Sequence, residues 1–342
     1  MTKPLAIEGA SIDQTLLYPL RFDPIYQYRP WGGRRLGLLL SAPLPEDGPI
    51  GEAWILSDRD DHPSLVTDGP FKGMTIKQVM DRAQVQLMGR LAGRFKRFPL
   101  LLKFLDVRET LSVQVHPSDT QSEMIPAGET GKTEAWVVLE TGQESRIYAG
   151  LKPSTTEDSL RGAIANGAVE KFLASFEARV GDGILVEAGT VHSLSDVVVF
   201  EVQENSDVTF RLYDWHRLDP QTGQMRPLQI EQAMACIKFD QPPVGPVVPE
   251  LEEMTPILRE RLLGCEHFGV WRVQGRLPFG VGAVGLPRVL VCLAGKGHLE
   301  QGGAKYPFGK GDVILLPALL GICCCRPEGA VSILEISLPE GP

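Results

Sequence analysis

Short apolar runs, several of them alternating with polar positions, recur along most of the chain. They stand at EAWILS (52–57), LLKFLDV (101–107), LSVQVHP (111–117), EAWVVLET (134–141), GILVEAG (183–189) and VVVFEVQEN (197–205). Side chains two apart on a strand share a face, so each run predicts a strand with at least one face buried. Turn residues punctuate the runs, the pattern of a β sandwich or barrel. A helical period replaces this texture in two places. TIKQVMDRAQVQLMGRLAG (75–93) spaces Ile, Val, Met and Leu along one face, and TTEDSLRGAIANGAVEKFLASFEA (155–178) opens with Thr155 and Asp158 at capping-box spacing. Both predict helices inserted on a β scaffold.

Near residue 241 the pattern breaks into QPPVGPVVPE, whose four prolines can hold neither a helix nor a central strand. A linker is expected at 241–250, dividing a first domain (1–240) from a second β domain (251–342). An internal echo relates the halves. GDGILVEAGTVH (181–192) and GDVILLPALLGI (311–322) share a Gly-Asp turn, a short apolar strand and a turn of small residues. The first ends on His192 and the second on Ile322, so the second unit is expected to lack a metal site.

Composition narrows the function. Hydrophobic residues make up 43% of 342, and 36 Gly with 27 Pro suit a turn-rich β protein. An excess of acidic over basic residues, 43 against 34, disfavours nucleic acid and anionic membranes as partners, because affinity there comes from neutralising phosphates. Neither a leader pattern nor an apolar run of membrane-spanning length is present, so a cytoplasmic protein is expected. The six cysteines all lie beyond residue 235, three of them adjacent in GICCCRP, and have no C-x-x-C spacing. They read as free thiols. Nothing in the sequence sets an oligomeric state.

The candidate chemistry begins at LSVQVHPSD, where Gln114 and His116 would share one face of a strand. A strand offers two ligands to one metal ion in this way, and it equally carries polar residues on a solvated face. The second half of the pattern is G-D-x-x-x-x-x-A-G-x-x-H, ending at His192, which resembles the second motif of the cupin family. Together LSVQVHPSD, GKTEAW, VEAGTVH and ENSDVTFRLYDWHR, with RPWGG and GEAWILS nearer the start, resemble the phosphomannose isomerases of the metal-dependent cupin type, in their shorter bacterial form. The resemblance spans roughly Trp31 to Trp215. It implies a mainly β fold of two cupin-type jelly-roll barrels with helical insertions, the second barrel degenerate.

It also implies one zinc ion per chain, held by Gln114, His116, Glu134 and His192, and a sugar phosphate as the small-molecule partner. Two imidazoles with a carboxylate form a familiar catalytic zinc set. Lys132 and Arg211 correspond to residues of the sugar phosphate pocket, Asp207 to a residue near the transferred proton, and Ser112 is a candidate phosphate hydroxyl. The implied activity is zinc-dependent interconversion of mannose-6-phosphate and fructose-6-phosphate through a cis-enediol. Two rivals stand beside it: a cupin dioxygenase using His116, His192 and Glu134 as an iron triad, and a non-catalytic sugar-phosphate-binding cupin. Taken singly, Glu134 also reads as a strand-end carboxylate, His192 as a turn imidazole and Gln114 as a solvated amide. Two departures from the family pattern stand out. Glu187 replaces the usual Pro of the second cupin motif, and Gly131 replaces a His found in longer members. His62, His216, His267 and His298 read as surface or structural, and Trp31 and Trp54 as core or sugar-stacking rings.

Overall fold

The computed structural model describes residues 18–40, 42–46 and 48–339. The fold is mainly β, and its strand pairs are antiparallel. The first half carries β1 (Ile25–Gly33), β2 (Ile50–Leu56), β3 (Leu100–Val107), β4 (Val113–Val115), β5 (Glu134–Leu151), β6 (Leu173–Phe176), β7 (Gly183–Val186), β8 (His192–Glu204) and β9 (Phe210–Tyr213). They join in one sheet of order β1-β2-β3-β8-β4-β9, to which β5 adds through β8, with β6 and β7 on β5. The second half carries β10 (Glu250–Glu253), β11 (Leu258–Gly264), β12 (Gly269–Gly275), β13 (Phe279–Gly282), β14 (Arg288–Ala294), β15 (Lys296–Gln301), β16 (Ala304–Gly309), β17 (Val313–Leu316), β18 (Ile322–Pro327) and β19 (Val331–Ser337). These form two sheets, β10-β11-β12-β19-β14-β17 and β13-β18-β15-β16. Residues 242–249 carry neither helix nor strand.

Strand alternation decides what faces what. Ala135, Val137, Phe200, Val202, Leu102 and Phe104 join a core shared with Leu262, Val270, Val289, Leu315 and Ile336 of the second half. Their neighbours along the strands, Trp136, Val138, Val199 and Leu105, belong to a separate cluster inside the first half. The second half repeats the device, with Leu290, Cys292, Ile314, Leu316, Cys323 and Cys325 packed in its own interior. The first half therefore has an inner face, and Glu52, Lys103, Glu134 and Glu201 share the parity of that face. On β8 the alternation shifts at Asp196, which has a positive φ, so that His192 has the parity of Leu194, a member of the same inner cluster. The long β5–β8 ladder runs from Glu134↔Gln203 to Ala149↔His192 with two register shifts. Bulges bend a ladder, and here Glu134 at one end meets His192 from the other.

The first predicted helix forms close to its expected bounds, but of 155–178 only the first part is helical. A 3-10 turn follows at Val169–Phe172, and Leu173–Phe176, expected to be helical, is β6, which pairs with β5. A helix α1 (Leu36–Leu39) precedes both insertions. The first insertion is α2 (Ile76–Met88), opened by a reciprocal Thr75–Gln78 capping box and continued by a 3-10 turn. In the second, α3 (Glu157–Ala165), the box is Thr156 with Ser159. This corrects the Thr155–Asp158 pairing by one residue, because the Thr155 hydroxyl donates to the Lys152 carbonyl instead. A last helix, α4 (Ile230–Cys236), packs its buried Ala233, Met234 and Cys236 into the cluster under β4 and β9. No helix among the described residues is long and apolar enough to cross a membrane.

The echo read from the sequence is present in the chain path. Gly181 and Gly311 both open their turns with φ near +90°, β7 and β17 follow, and β8 and β18 start on His192 and Ile322. Ile322 is more than half exposed.

Candidate functional site

The short strand β4 lies between β8 and β9, and its register sets Gln114 opposite His192 on one side and Arg211 on the other. His116 stands one residue past the end of β4, Glu134 is the first residue of β5, and His192 the first of β8. All three are at most 1% exposed, and their ligand atoms lie within one small cluster. His192 Nε2 is 3.2 Å from Glu134 Oε1, and His116 Nε2 is 3.5 Å from Glu134 Oε2. The Gln114 side-chain nitrogen is 3.1 Å from His192 Nε2, and a half-turn of the amide would bring its oxygen to the same place.

The donor set fits a metal ion. Each imidazole turns Nδ1 to a backbone carbonyl, Val208 for His116 (2.8 Å) and Thr190 for His192 (2.9 Å). A donating Nδ1–H fixes the tautomer that leaves the Nε2 lone pair facing inward, as ligand histidines require. His116 Nε2 and both Glu134 carboxylate oxygens are buried without a hydrogen-bond partner. Burial, then the Lys132 charge, push His116 down to about 3, and burial pushes His192 down as well. Burial would raise Glu134, but Lys132 and the two histidines outweigh it and hold the carboxyl well below its usual range. The cluster is two neutral imidazoles and a carboxylate, ready to bind a cation without first releasing protons.

That arrangement has a consequence for the metal-free protein. Between the ordinary histidine value of 6.5 and their lowered folded values, His116 and His192 bind protons only when the chain unfolds. Stability then rises with pH and falls as pH drops below 6.5, by up to about 1.4 kcal/mol per pH unit for each group. Urea unfolding of chelator-treated protein at pH 7 and pH 5 measures it, and equal stability at the two values would contradict the assignment.

The cluster opens on a cavity of about 420 Å³ lined by Ser112, Gln114, Lys132, Glu134, Asp207 and Arg211 among others. All the sequence-predicted site residues therefore meet at one place, since His116 and His192 touch Glu134 from behind. Lys132 precedes β5, yet its ammonium sits 2.9 Å from Glu134 Oε2. Ser112 is buried, with its hydroxyl 3.4 Å from the Gln114 side-chain oxygen. Asp207 is exposed at the cavity edge. Arg211 is held from three sides: its Nη1 donates to the Pro227 carbonyl, its backbone N–H to the Gln229 side chain, and its carbonyl accepts from Gln229 N–H. Its Nε is buried without a partner, and burial with the nearby Arg226 lowers the guanidinium to about 10, still fully charged at neutral pH.

The cavity also contains a charge cluster that the sequence reading missed. Lys103, 4% exposed, lies 3.1 Å from Glu201 and 3.7 Å from Glu52. Arg29 pairs with Glu52 at 2.8 Å, while Trp54 and Trp136 donate their indole N–H groups to Glu52 and Glu201. Burial raises Glu52, but Arg29 and Lys103 outweigh it and leave the carboxyl well below its usual range. Burial would lower Lys103, but Glu201 and Glu52 raise it above the ordinary lysine value. The available signal was a lone charge inside each apolar run, Lys103 in LLKFLDV and Glu201 in VVVFEVQEN, and β3 and β8 pair those two residues in register.

The remaining expectations resolve individually. Gly131 has no room for an imidazole, because a Cβ there would lie 2.5 Å from the Asp119 nitrogen. Glu187 is exposed on its turn. Trp31 and Trp54 are both buried, and Trp31 still lines the cavity. RPWGG needs its glycine because Gly32 crosses Gly51 so closely that a Cβ would sit 2.4 Å from the Gly51 nitrogen. The cysteines are free thiols. His62 and His298 pair with neighbouring carboxylates, at 3.0 and 3.2 Å. His267 lies 3.3 Å from Glu204, and with Asp119 the two form a second group of ligand-type side chains.

Fold and site define a mainly β protein with a buried His–Glu–His cluster at the bottom of a charged cavity. The family model for the catalytic domain of type I phosphomannose isomerase matches residues 20–135. Mannose-6-phosphate isomerase ManA of Bacillus subtilis is 34% identical over 307 residues, covering 89% of this chain and 94% of the relative. Mannose-6-phosphate isomerase of Streptococcus mutans is 32% identical over 291 residues, covering 84% and 88%. The crystal structure of the Bacillus subtilis mannose 6-phosphate isomerase superimposes with a TM-score of 0.86 at 28% identity, covering 94% of this chain and all of that one. The chain belongs to the type I phosphomannose isomerase family and is an enzyme, an isomerase.

Proposed function

We propose that this enzyme is a zinc-dependent mannose-6-phosphate isomerase, interconverting that sugar with fructose-6-phosphate through a cis-enediol and holding one zinc ion at the site described. The observation that carries this reading is one cavity in which a buried His–Glu–His cluster meets two cationic side chains, Lys132 and Arg211. The names of the relatives support the substrate. Zinc held by Gln114, His116, Glu134 and His192 would act as a Lewis acid toward the sugar's O1 and O2. Isomerisation removes a proton from C2 and returns one to C1, while the O2 proton passes to O1, so negative charge develops on two oxygens. Lys132 and Arg211 bring positive charge to that region and to the phosphate. Asp207 is assigned to carrying or orienting the proton, and Ser112 to a phosphate oxygen.

The same reading treats 1–240 as the catalytic cupin domain, 241–250 as the linker and 251–342 as a cupin-like domain without a metal site built from its own residues. Six unpaired thiols support a reducing, cytoplasmic setting. A coupled assay on mannose-6-phosphate is the direct test. Turnover is expected, abolished by chelator and restored by zinc, with exchange of the C2 hydrogen into solvent. Binding of the sugar phosphate without that exchange, or oxygen uptake in its place, would refute the assignment.

A further inference from the structure

We infer that Asp119, Glu204 and His267 form a second divalent-cation site, separate from the buried cluster and joining the two halves of the chain. The three side chains come from three places: the turn after β4, the end of β8, and the loop between β11 and β12. Their ligand atoms lie within 4.8 Å of one another. Donor atoms around a tetrahedral ion with bonds of about 2.1 Å stand roughly 3.4 Å apart, a separation that Glu204 and His267 already show at 3.3 Å. Asp119, exposed on the surface, would close in by at most about 1.4 Å to complete the set.

The geometry resembles a prepared site more than a chance meeting of surface charges. Glu204 is only 7% exposed, and its Oε2 accepts the Thr133 N–H at 2.7 Å, leaving Oε1 directed at His267 Nδ1, 3.3 Å away. Asp119 likewise commits Oδ1 to the Gly131 N–H at 2.7 Å, leaving Oδ2 free for a cation. Backbone donors thus fix both carboxylates by one oxygen each and aim them, the role outer hydrogen bonds play around bound metals. Two carboxylates and one imidazole suit zinc, cobalt or manganese. A broad cleft lined by Asp119, Glu204 and His267 gives a hydrated ion access.

The position gives the site a role. Gly131 and Thr133, held by these two carboxylates, alternate along the chain with Lys132 and Glu134, which face the cavity. A cation bound behind the segment would brace the stretch that carries both and tie it to the second half through His267.

The test uses the full-length protein and a single metal at a time. With saturating Zn2+ followed by gel filtration, elemental analysis should find two equivalents in the wild type and one in either His267→Gln or Asp119→Asn. In a His116→Ala background, Co2+ should still raise the melting temperature, and adding His267→Gln should abolish that rise. A single equivalent in the wild type overturns the inference, as do two equivalents retained in both variants. Loss of metal in His116→Ala reports on the buried cluster alone, so failure there is distinguishable from failure here.

Discussion

Replacing Glu134 by alanine is expected to remove the metal of the buried cluster and all measurable turnover, and His116→Ala to do the same. Glu134 is the only carboxylate in the cluster and both histidines converge on it, so two neutral imidazoles and an amide would remain to hold a dication. Charge neutralisation and ligand number fall together, and a catalytic zinc site needs about three protein ligands. The variants differ in what they leave behind. Without Glu134, the ammonium of Lys132, 4% exposed, loses its only ion-pair partner among the described residues. Breaking one side of a buried pair costs about 3–5 kcal/mol, so Glu134→Ala should also melt earlier than His116→Ala. Metal content by elemental analysis, turnover and thermal melting measure all three effects. Normal metal stoichiometry in both variants would remove the basis for placing the metal here.

The meeting of Gln114, His116, Glu134 and His192 was legible because its members sit at fixed offsets in motifs that a local reading can find. Gln114 and His116 are two apart, and His192 closes a Gly-Asp turn pattern whose strand and turn both form as read. Glu134 was placed at the head of a strand, and β5 begins on it. The strands of highest apolar content were legible for the same reason, since burial of both faces forces continuous apolar runs. β1 escaped because IYQYRPWGG carries a proline and two glycines. Such a sequence is tolerated because Pro30 falls in the irregular stretch of the β1–β2 pairing between Tyr28 and Gly33, where its missing N–H costs no ladder bond.

Contacts made by register and long-range folding were not legible. Glu52, Lys103 and Glu201 are spread over 150 positions and meet only because β2, β3 and β8 are neighbours and the three residues share the inner face. His267 is 63 residues from Glu204 and 148 from Asp119, so spacing alone could not pair them. The Asp119 that blocks a side chain at Gly131 is the same residue that joins this group, so the departure at 131 follows from what packs behind it.

Arg211→Ala should keep the metal and the fold while losing most of the turnover. Arg211 takes no part in the ligand cluster, and its backbone bonds to Gln229 survive truncation, so binding of the ion and the position of β9 are expected to stay. The guanidinium, by contrast, lines the cavity with Nε buried and unpaired. A pKa lowered to about 10 leaves it charged across the neutral range, so it presents a fixed positive charge that no solvent reorganisation has to create. Removing one such electrostatic partner typically costs on the order of a hundredfold or more in turnover. Arg211→Lys separates charge from geometry. The Nη1 donation to Pro227 orients the planar group, and an ammonium cannot reproduce both that bond and the inward-facing Nε. Lysine should therefore restore part of the rate, with kcat recovering less than KM. Steady-state kinetics on mannose-6-phosphate, with metal content measured on the same samples, decide the matter. Activity of Arg211→Ala within a few fold of the wild type would make Arg211 a packing residue and leave Lys132 as the charge that matters.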